Sequence, residues 1–264
     1  MNWKNTKYYL FIILILLYLF IPLLATFIYS ISTKWQSTII PEGITFQWYI
    51  QLFNDFRFLE AMARSFILTT LSLSISAIIM IPTVFIVIVY FPKLEKFLKV
   101  LVMLPFAMPG VVAAVGLLKL YSSEPLPISG TIWILLGAYF VIALPYMYQG
   151  ISNSLRTINV KDLMEAAEML NATKIQAFIY IILPNIFKGI MVSMLLTFSI
   201  LFGEFVLANI LAGGNFETVQ VYLYNKKNES GHFTSAIVIT YFIFILILSG
   251  VIVKINKLIN KADA

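Results

Sequence analysis

Residues 156–188 read RTINVKDLMEAAEMLNATKIQAFIYIILPNIFK, and this polar stretch between two apolar runs decides how the rest of the chain is interpreted. Apolar side chains in its first half recur at spacings of three and four residues: Val160, Leu163, Met164, Ala167 and Leu170. This periodicity predicts an amphipathic helix. Asn159 is placed to cap the start of that helix, and Asn171 is placed to end it because Asn tolerates the left-handed conformation of many helix ends.

A second helix is expected after Asn171, running into Leu183 and Pro184. Pro184 has no amide hydrogen to donate, so we expect the chain to bend there before the next apolar run. A short amphipathic helix can lie among lipid headgroups, pack on its own protein or dock in a groove of a partner. The periodicity alone leaves these three possibilities open.

Long apolar runs lie on both sides of the 156–188 loop. A membrane-crossing helix needs roughly 20 mostly apolar residues, and six runs of about that length occur, with one acid, Glu204, inside the fifth. We predict spans at about residues 8–32, 65–92, 100–118, 128–155, 189–212 and 233–253. Helices are favoured over a barrel because barrel strands alternate apolar with polar residues and are only about 10 residues long.

The composition supports a single membrane domain over residues 1–264. Of the 264 residues, 61% are hydrophobic and 11% are charged, whereas soluble domains have roughly 25% charged residues. The absence of cysteine excludes disulfides and thiolate metal sites, and the single histidine, His232, argues against a zinc site. The sequence therefore predicts an all-α polytopic membrane protein.

The positive charges predict the orientation. With the N-terminus inside, the inner segments hold 12 of the 18 Lys and Arg residues, which gives a net charge of +7 inside and −1 outside. Cytoplasmic loops are enriched in Lys and Arg. We therefore expect both termini and the 156–188 loop to be cytoplasmic, and the net charge of +6 to reflect topology rather than nucleic-acid binding.

The spacing within the loop resembles the EAA motif of binding-protein-dependent ABC importer permeases of the MetI-like type. Glu165-Ala166-Ala167 is followed after three residues by Asn171, after nine more by Ile181, and after one more by Leu183-Pro184. The family pattern has Gly at the position of Asn171. The place of the loop between the fourth and fifth of six spans also matches the family.

The resemblance implies an all-helical MetI-like permease whose loop forms coupling helices in a cleft on a separate cytoplasmic ATPase. Its contact residues would be Glu165, Ala166, Ala167, Asn171, Ile181, Leu183 and Pro184. The implied partners are a dimer of ABC ATPases, a second permease chain, an extracytoplasmic solute-binding protein and the bilayer of a bacterial inner membrane. The sequence has no GxxxxGK[ST] phosphate-binding loop, so we expect no cofactor and no catalysis in this chain, with ATP and Mg bound by the ATPase.

Two features suggest a translocation pathway. Pro109 and Gly110 lie inside the third apolar run and predict a kink, which either lines a cavity or allows close helix packing. Glu204, followed by Asn209, lies midway in the fifth predicted span, where an ionised carboxylate costs roughly 2.5–3.5 kcal/mol. We expect Glu204 to face either the pathway or a structural hydrogen-bond partner.

The outer loop at residues 213–232 alternates Val219, Val221 and Leu223 with polar or aromatic residues, which predicts a strand or a short helix. By resemblance, outer loops receive the solute-binding protein. Candidate docking residues are therefore Phe216, Tyr222 and Tyr224, together with residues 34–64; otherwise the loop is an ordinary connector. His232 is expected to be an interfacial residue.

The expected class of substrate follows from resemblance. The stretches LPYMYQG at 144–150, GEFVLANILAGG at 203–214 and SGHFTSAIV at 230–238 are similar to permeases for polyamines, 2-aminoethylphosphonate, ferric iron or thiamine. We favour a polyamine or aminophosphonate, with ferric iron or thiamine as the alternative. An ATP-independent channel or carrier is a further alternative, and an intramembrane enzyme would need clustered His, Asp, Ser or Cys within the spans.

Overall fold

The computed structural model of the chain describes the backbone of residues 3–35, 38 and 40–262 and, within these, the side chains of residues 8–254. In this part of the chain the regular structure is helical, with one isolated bridge between Ser32 and Ile44. The α-helices are α1 (Trp3–Ser30), α2 (Gln47–Asn54), α3 (Phe56–Tyr90), α4 (Pro92–Ala107), α5 (Gly110–Tyr121), α6 (Ile132–Arg156), α7 (Val160–Met169), α8 (Lys174–Ala177), α9 (Leu183–Phe202), α10 (Val206–Leu211), α11 (Val219–Lys226) and α12 (Gly231–Ala262). A π-helical turn, Phe178–Ile182, joins α8 to α9, and a 3-10 turn, Gly213–Phe216, follows α10.

Among the described residues, five helices are long and apolar enough to cross a membrane: Tyr8–Ser30, Phe56–Tyr90, Ile132–Arg156, Lys174–Phe202 and Gly231–Lys254. Helices α4 and α5 form a sixth apolar segment that is bent by 94°. The prediction of an all-helical membrane fold is confirmed, with six spans if the bent pair counts as one.

Three predicted spans differ from the observed helices. The second, predicted over 65–92, begins earlier, at Phe56. The third, predicted as one kinked helix over 100–118, is broken at Met108 and Pro109, where the backbone is extended; a residue that precedes proline is pushed out of the helical region. The fifth, predicted over 189–212, begins earlier, at Lys174, and ends at Phe202. Gly203–Phe205 separates it from α10, so Glu204 lies in a break rather than midway along a helix.

The helices form two compact units. The first comprises the chain up to Glu60 together with Tyr222–Leu246. In it, His232 stacks on Tyr29 and Trp48, with ring centroids 4.0 Å and 5.7 Å away, and its Nδ1 lies 2.8 Å from the Tyr29 carbonyl oxygen. His232 is buried as part of an aromatic cluster beside the start of α12, and its place at the membrane interface stays a prediction.

The second unit comprises Ala61–Val221 and the chain from Ile247 onward, and α6 packs closely on α9 within it. At their crossing, a Cβ on Gly150 would overlap the Ser193 side chain, and a Cβ on Gly189 would overlap the Ser154 side chain. Each helix thus presents a glycine and a serine four residues apart. Such pairs of small residues let membrane helices approach closely.

Candidate functional site

The 156–188 loop begins with α7, whose end has the predicted left-handed residue. Asn171 has φ of 57°. The amide of Asn171 donates to the Glu168 carbonyl, and the amide of Ala172 donates to the Ala167 carbonyl, both at 3.0 Å. These two bonds satisfy carbonyls that would otherwise be orphaned at the helix end. The prediction for Asn171 is confirmed, and it explains how Asn replaces the Gly of the family pattern.

The start of α7 differs from the prediction. Asn159 occupies the N-cap position, but its side chain makes no capping hydrogen bond to the helix backbone. Its amide instead donates to the Asp162 carboxylate at 2.5 Å. This hydrogen bond joins the residue before the helix to its first turn through side chains.

The three residues of the EAA motif lie on two faces of α7 that differ in exposure. Glu165 and Ala166 are exposed, whereas Ala167 is 1% exposed. Met169 and Leu170, which follow, are 86% and 82% exposed. The chain that folds back after Asn171 covers the Ala167 side of the helix, where the Ala172 amide donates to the Ala167 carbonyl, so the contact of Ala167 with a partner stays a prediction.

Four exposed apolar residues at the end of α7 and on α8 are together called the loop patch (Ala166, Met169, Leu170 and Ile175). The sequence analysis missed Met169 and Ile175. Their signal was present, since both are large apolar residues in an otherwise polar loop. Exposed apolar patches typically mark interaction surfaces.

Helix α8 fixes the loop to the end of α3. A capping box starts it, in which the Gln176 amide donates to Thr173 Oγ1 at 3.3 Å and the Thr173 amide donates to Gln176 Oε1 at 2.8 Å. Lys174 Nζ lies 5.0 Å from the centroid of the Tyr90 ring. The rings of Phe178 and Phe85 have centroids 4.5 Å apart.

The remaining motif residues lie at the entry to α9. Ile181 and Leu183 are half-buried and Pro184 is exposed. The Leu183 amide donates to the Phe178 carbonyl, five residues back. The bend predicted at Pro184 is replaced by this π-helical turn, which lets an apolar helix continue from Lys174 to Phe202.

The predicted pathway residues lie at two helix breaks that meet. Pro109 precedes α5 and Gly110 begins it. A Cβ on Gly110 would lie 3.9 Å from Val206 Cγ1 of α10, and α5 packs along α10. The break after α4 and the break after α9 are therefore neighbours, and in transporters interrupted helices of this kind surround substrate sites.

The Glu204 carboxylate caps α10. Its Oε1 accepts from the Leu207 amide at 3.0 Å and its Oε2 accepts from the Ala208 amide at 3.1 Å. The Tyr139 hydroxyl of α6 donates to the Glu204 carbonyl oxygen at 3.4 Å. Asn209 is half-buried one turn further on. These contacts favour the structural alternative for the Glu204 side chain, since both of its oxygens have backbone partners.

The 213–232 loop forms the short helix α11 rather than a strand. Tyr222 is 0% exposed and its hydroxyl donates to Asp55 Oδ2 at 2.7 Å. Tyr224 is 44% exposed, with Lys227 Nζ 3.6 Å from its ring centroid, and Phe216 is half-buried. Tyr222 is therefore unavailable for docking, because its side chain is buried. The alternation from Val219 to Leu223 reflects the packing of a helix against its neighbours.

A cleft of about 320 Å³ adjoins the α6–α9 crossing, lined by Gly150, Asn153, Ser154, Thr157, Asn185, Ile186, Gly189, Val192 and Ser193. The sequence analysis did not identify it, although the glycine and serine spacing was available as a signal. Over the described residues, no group of three or more His, Asp or Glu side chains is placed to bind a metal.

Comparison with known proteins agrees with this architecture. The putative 2-aminoethylphosphonate transport system permease protein PhnV of Salmonella typhimurium is 27% identical over 195 residues, which are 73% of this chain and 71% of PhnV. The spermidine/putrescine transport system permease protein PotC of Escherichia coli K12 is 24% identical over 244 residues, which are 92% of this chain and 90% of PotC.

Solved structures show the same fold. A chain of a bacterial ABC transporter involved in the import of the acidic polysaccharide alginate matches with a TM-score of 0.64 and 18% identity, over 96% of this chain and 98% of its own. A chain of the MetNI methionine ABC transporter matches with a TM-score of 0.63 and 16% identity, over 82% of this chain and 99% of its own.

The sequence profile of one family, described as binding-protein-dependent transport system inner membrane component, matches residues 56–261. This range includes the 156–188 loop and both helix breaks. Because the match extends over most of the chain, the protein belongs to the binding-protein-dependent transport system inner membrane components and has their MetI-like permease fold.

Proposed function

We propose that this chain is the transmembrane permease subunit of an ATP-driven ABC importer that moves a small amine-bearing solute from a binding protein into the cytoplasm. The observation that supports this most strongly is the shape of the 156–188 loop. Glu165 and the loop patch are exposed on one side of the loop. On the other side Ala167 is buried, and the left-handed Asn171 turns the chain back over it.

The exposed side of the loop suits a groove on a separate ATPase. Met169 and Leu170 offer apolar side chains for burial, and the small Ala166 allows close approach. Glu165 lies 3.8 Å from Lys161 on its own helix, and such an exposed pair contributes little, so Glu165 is available for a charge-assisted hydrogen bond to a partner. In this proposal ATP and Mg are bound by a dimer of ATPases, and this subunit performs no covalent chemistry.

Movement of the ATPases would reach the spans through the anchored loop. The contacts of Lys174 with Tyr90 and of Phe178 with Phe85 join the loop to α3, and the π-helical turn joins it to α9. Alternating access would follow as this subunit and a second permease chain rock about a pathway between them. The neighbouring breaks at Pro109 and Glu204 provide the irregular backbone that such pathways contain.

The solute-binding protein is proposed to dock on the extracytoplasmic side of the membrane, on Tyr224, Phe216 and the described part of residues 34–64. The distribution of Lys and Arg supports this orientation, with both termini in the cytoplasm of a bacterial cell. The substrate proposal draws on the relatives, because the names of PhnV and PotC both refer to amine-bearing solutes.

Reconstitution tests the proposal. The chain is co-expressed with the ATPase and the solute-binding protein that the proposal assigns to it, and the complex is placed in liposomes that contain ATP. We expect ATP-dependent accumulation of radiolabelled spermidine or 2-aminoethylphosphonate. Accumulation of ferric iron or thiamine instead would change the proposed substrate and leave the permease role intact. Equal uptake without ATP would refute the proposal of an ATP-driven importer.

A further inference from the structure

Helix α11 has two faces with different environments. Its outer face presents Tyr224, and Lys227 follows directly after the helix; both are exposed. Its inner face presents Tyr222, which is fully buried, and Lys226, which is ion-paired with Glu229 at 2.9 Å. A partner that docks on the outer face would therefore push on a helix whose inner face is already held by specific contacts.

Those contacts converge on Asp55, which lies between α2 and α3. Its Oδ1 accepts from the Arg57 amide at 2.9 Å and so caps α3. Its Oδ2 accepts from the Tyr222 hydroxyl at 2.7 Å and lies 4.0 Å from Lys226 Nζ. One carboxylate thus binds the start of α3 to α11.

The ionisation states of Asp55 and Tyr222 suit their hydrogen bond. Partial burial raises the pKa of the Asp55 carboxyl, but the hydrogen bonds from Tyr222 and Arg57 and the charge of Lys226 outweigh it and hold the pKa below its usual value. Burial, followed by the bond to Asp55, raises the pKa of Tyr222. At neutral pH a protonated phenol therefore donates to an ionised carboxylate.

The other end of α3 holds the 156–188 loop. The helix is continuous from Phe56 to Tyr90, 35 residues, or about 50 Å at about 1.5 Å per residue. Near its end, Phe85 packs against Phe178 and Tyr90 lies under the ammonium of Lys174. A single helix therefore has one end bonded to α11 and the other end in contact with the loop.

We propose that α3 is the element through which docking of the binding protein on α11 is communicated to the 156–188 loop, with Asp55 and Tyr222 as the positioning residues that join α11 to α3. This inference rests on the proposed function. It assigns Tyr222 to transmission and Tyr224 to docking, although the two lie close together on the same helix. The two roles predict different kinetic effects.

The test uses the complete transporter in liposomes and measures its ATPase rate against the concentration of the binding protein. Tyr222→Phe removes one hydroxyl and keeps the ring. We expect the maximal stimulated rate to fall about tenfold, which corresponds to the loss of one hydrogen bond to a charged group, while the half-saturating concentration and the basal rate stay unchanged. Tyr18→Phe, at an exposed position on α1, is the matched control and should behave like the wild type.

Two further variants separate the roles. Tyr224→Ala should raise the half-saturating concentration and leave the maximal rate unchanged. Asp55→Asn should reproduce the Tyr222→Phe defect, and the double variant should be no worse than either single one, because residues that act as a unit are not additive.

Each result supports or overturns the inference. Full stimulation of Tyr222→Phe, or a rise in its half-saturating concentration alone, would overturn the role of α3 while leaving the permease assignment intact. A fall in its melting temperature together with its basal rate would mean a purely structural bond and would also overturn it. If the wild-type complex itself does not respond to the binding protein or hydrolyse ATP, the proposed function fails first.

Discussion

The crossing of α6 and α9 predicts that adding one methyl group at Gly150 destabilises the protein. A Cβ at Gly150 would overlap the Oγ and Cβ atoms of Ser193, while the nearest backbone atom, the Ser193 Cα, lies at an ordinary 3.7 Å. Overpacking of this kind costs about 1–3 kcal/mol. The higher helix propensity of Ala returns up to about 1 kcal/mol, so we expect Gly150→Ala to lower the free energy of unfolding by about 1–2 kcal/mol.

The geometry also predicts a rescue and supplies a control. Ser193→Gly removes the two atoms that overlap, so the double variant Gly150→Ala/Ser193→Gly should recover most of the lost stability. Gly137 lies on the same helix, and a Cβ added there would have no atom within 4 Å, so Gly137→Ala should be neutral or slightly stabilising. Unfolding by SDS in mixed micelles, followed by circular dichroism, measures all of these variants.

Two results would refute the reasoning. Gly150→Ala as stable as Gly137→Ala would mean that α6 and α9 do not approach as closely as the structure has them. A double variant less stable than Gly150→Ala alone would mean that Ser193 is needed for another contact. The reciprocal pair, Gly189 and Ser154, gives an independent repeat of the same comparison.

Three further outcomes are expected. Leu170→Asp should abolish ATP-driven uptake while the chain still inserts and folds, whereas Ala167→Asp should also reduce the amount of folded protein, because it buries a charge. Uptake assays and size-exclusion profiles distinguish the two variants. Normal uptake by Leu170→Asp would contradict the role of the loop patch. Asp55 has a lowered pKa, so the stability it contributes is present above the unfolded-state pKa of about 4 and is lost as the pH falls through the folded-state pKa. Asp55→Asn should therefore reduce the fall of the melting temperature at acidic pH in thermal-shift assays. An unchanged fall would count against the Tyr222 contact. Glu204→Gln keeps one acceptor oxygen for α10 and should retain partial uptake, while Glu204→Leu should lose it; equal loss in both would favour a role for the charge itself.

Local patterns in the sequence were enough to predict several features. Apolar runs predicted the spans, and the three- and four-residue spacing predicted α7. Asn171 was identified as its left-handed end because that conformation depends on the residue itself. The proline at 109 predicted an interruption of α4–α5, since its effect on the preceding residue is also local.

Features set by distant contacts could not be predicted in this way. Tyr222 and Asp55 are 167 positions apart, and no periodicity indicates that they meet. The side of α7 that is buried depends on where the chain returns after Asn171, so the periodicity alone could not predict that Ala167 is buried and Leu170 exposed. The angle of 94° between α4 and α5 accompanies packing of α5 on α10, which the sequence of either helix alone does not reveal.

Contact between the loop patch and an ATPase can be measured directly because the chain contains no cysteine. Met169→Cys, labelled with a benzophenone maleimide in the assembled complex, should cross-link to the ATPase subunit on illumination. Leu120→Cys, also well exposed, on α5, is the control and should not. Cross-linking of Met169→Cys to lipid alone, or equal cross-linking of the ATPase from both positions, would contradict the assignment of this loop as the site of coupling.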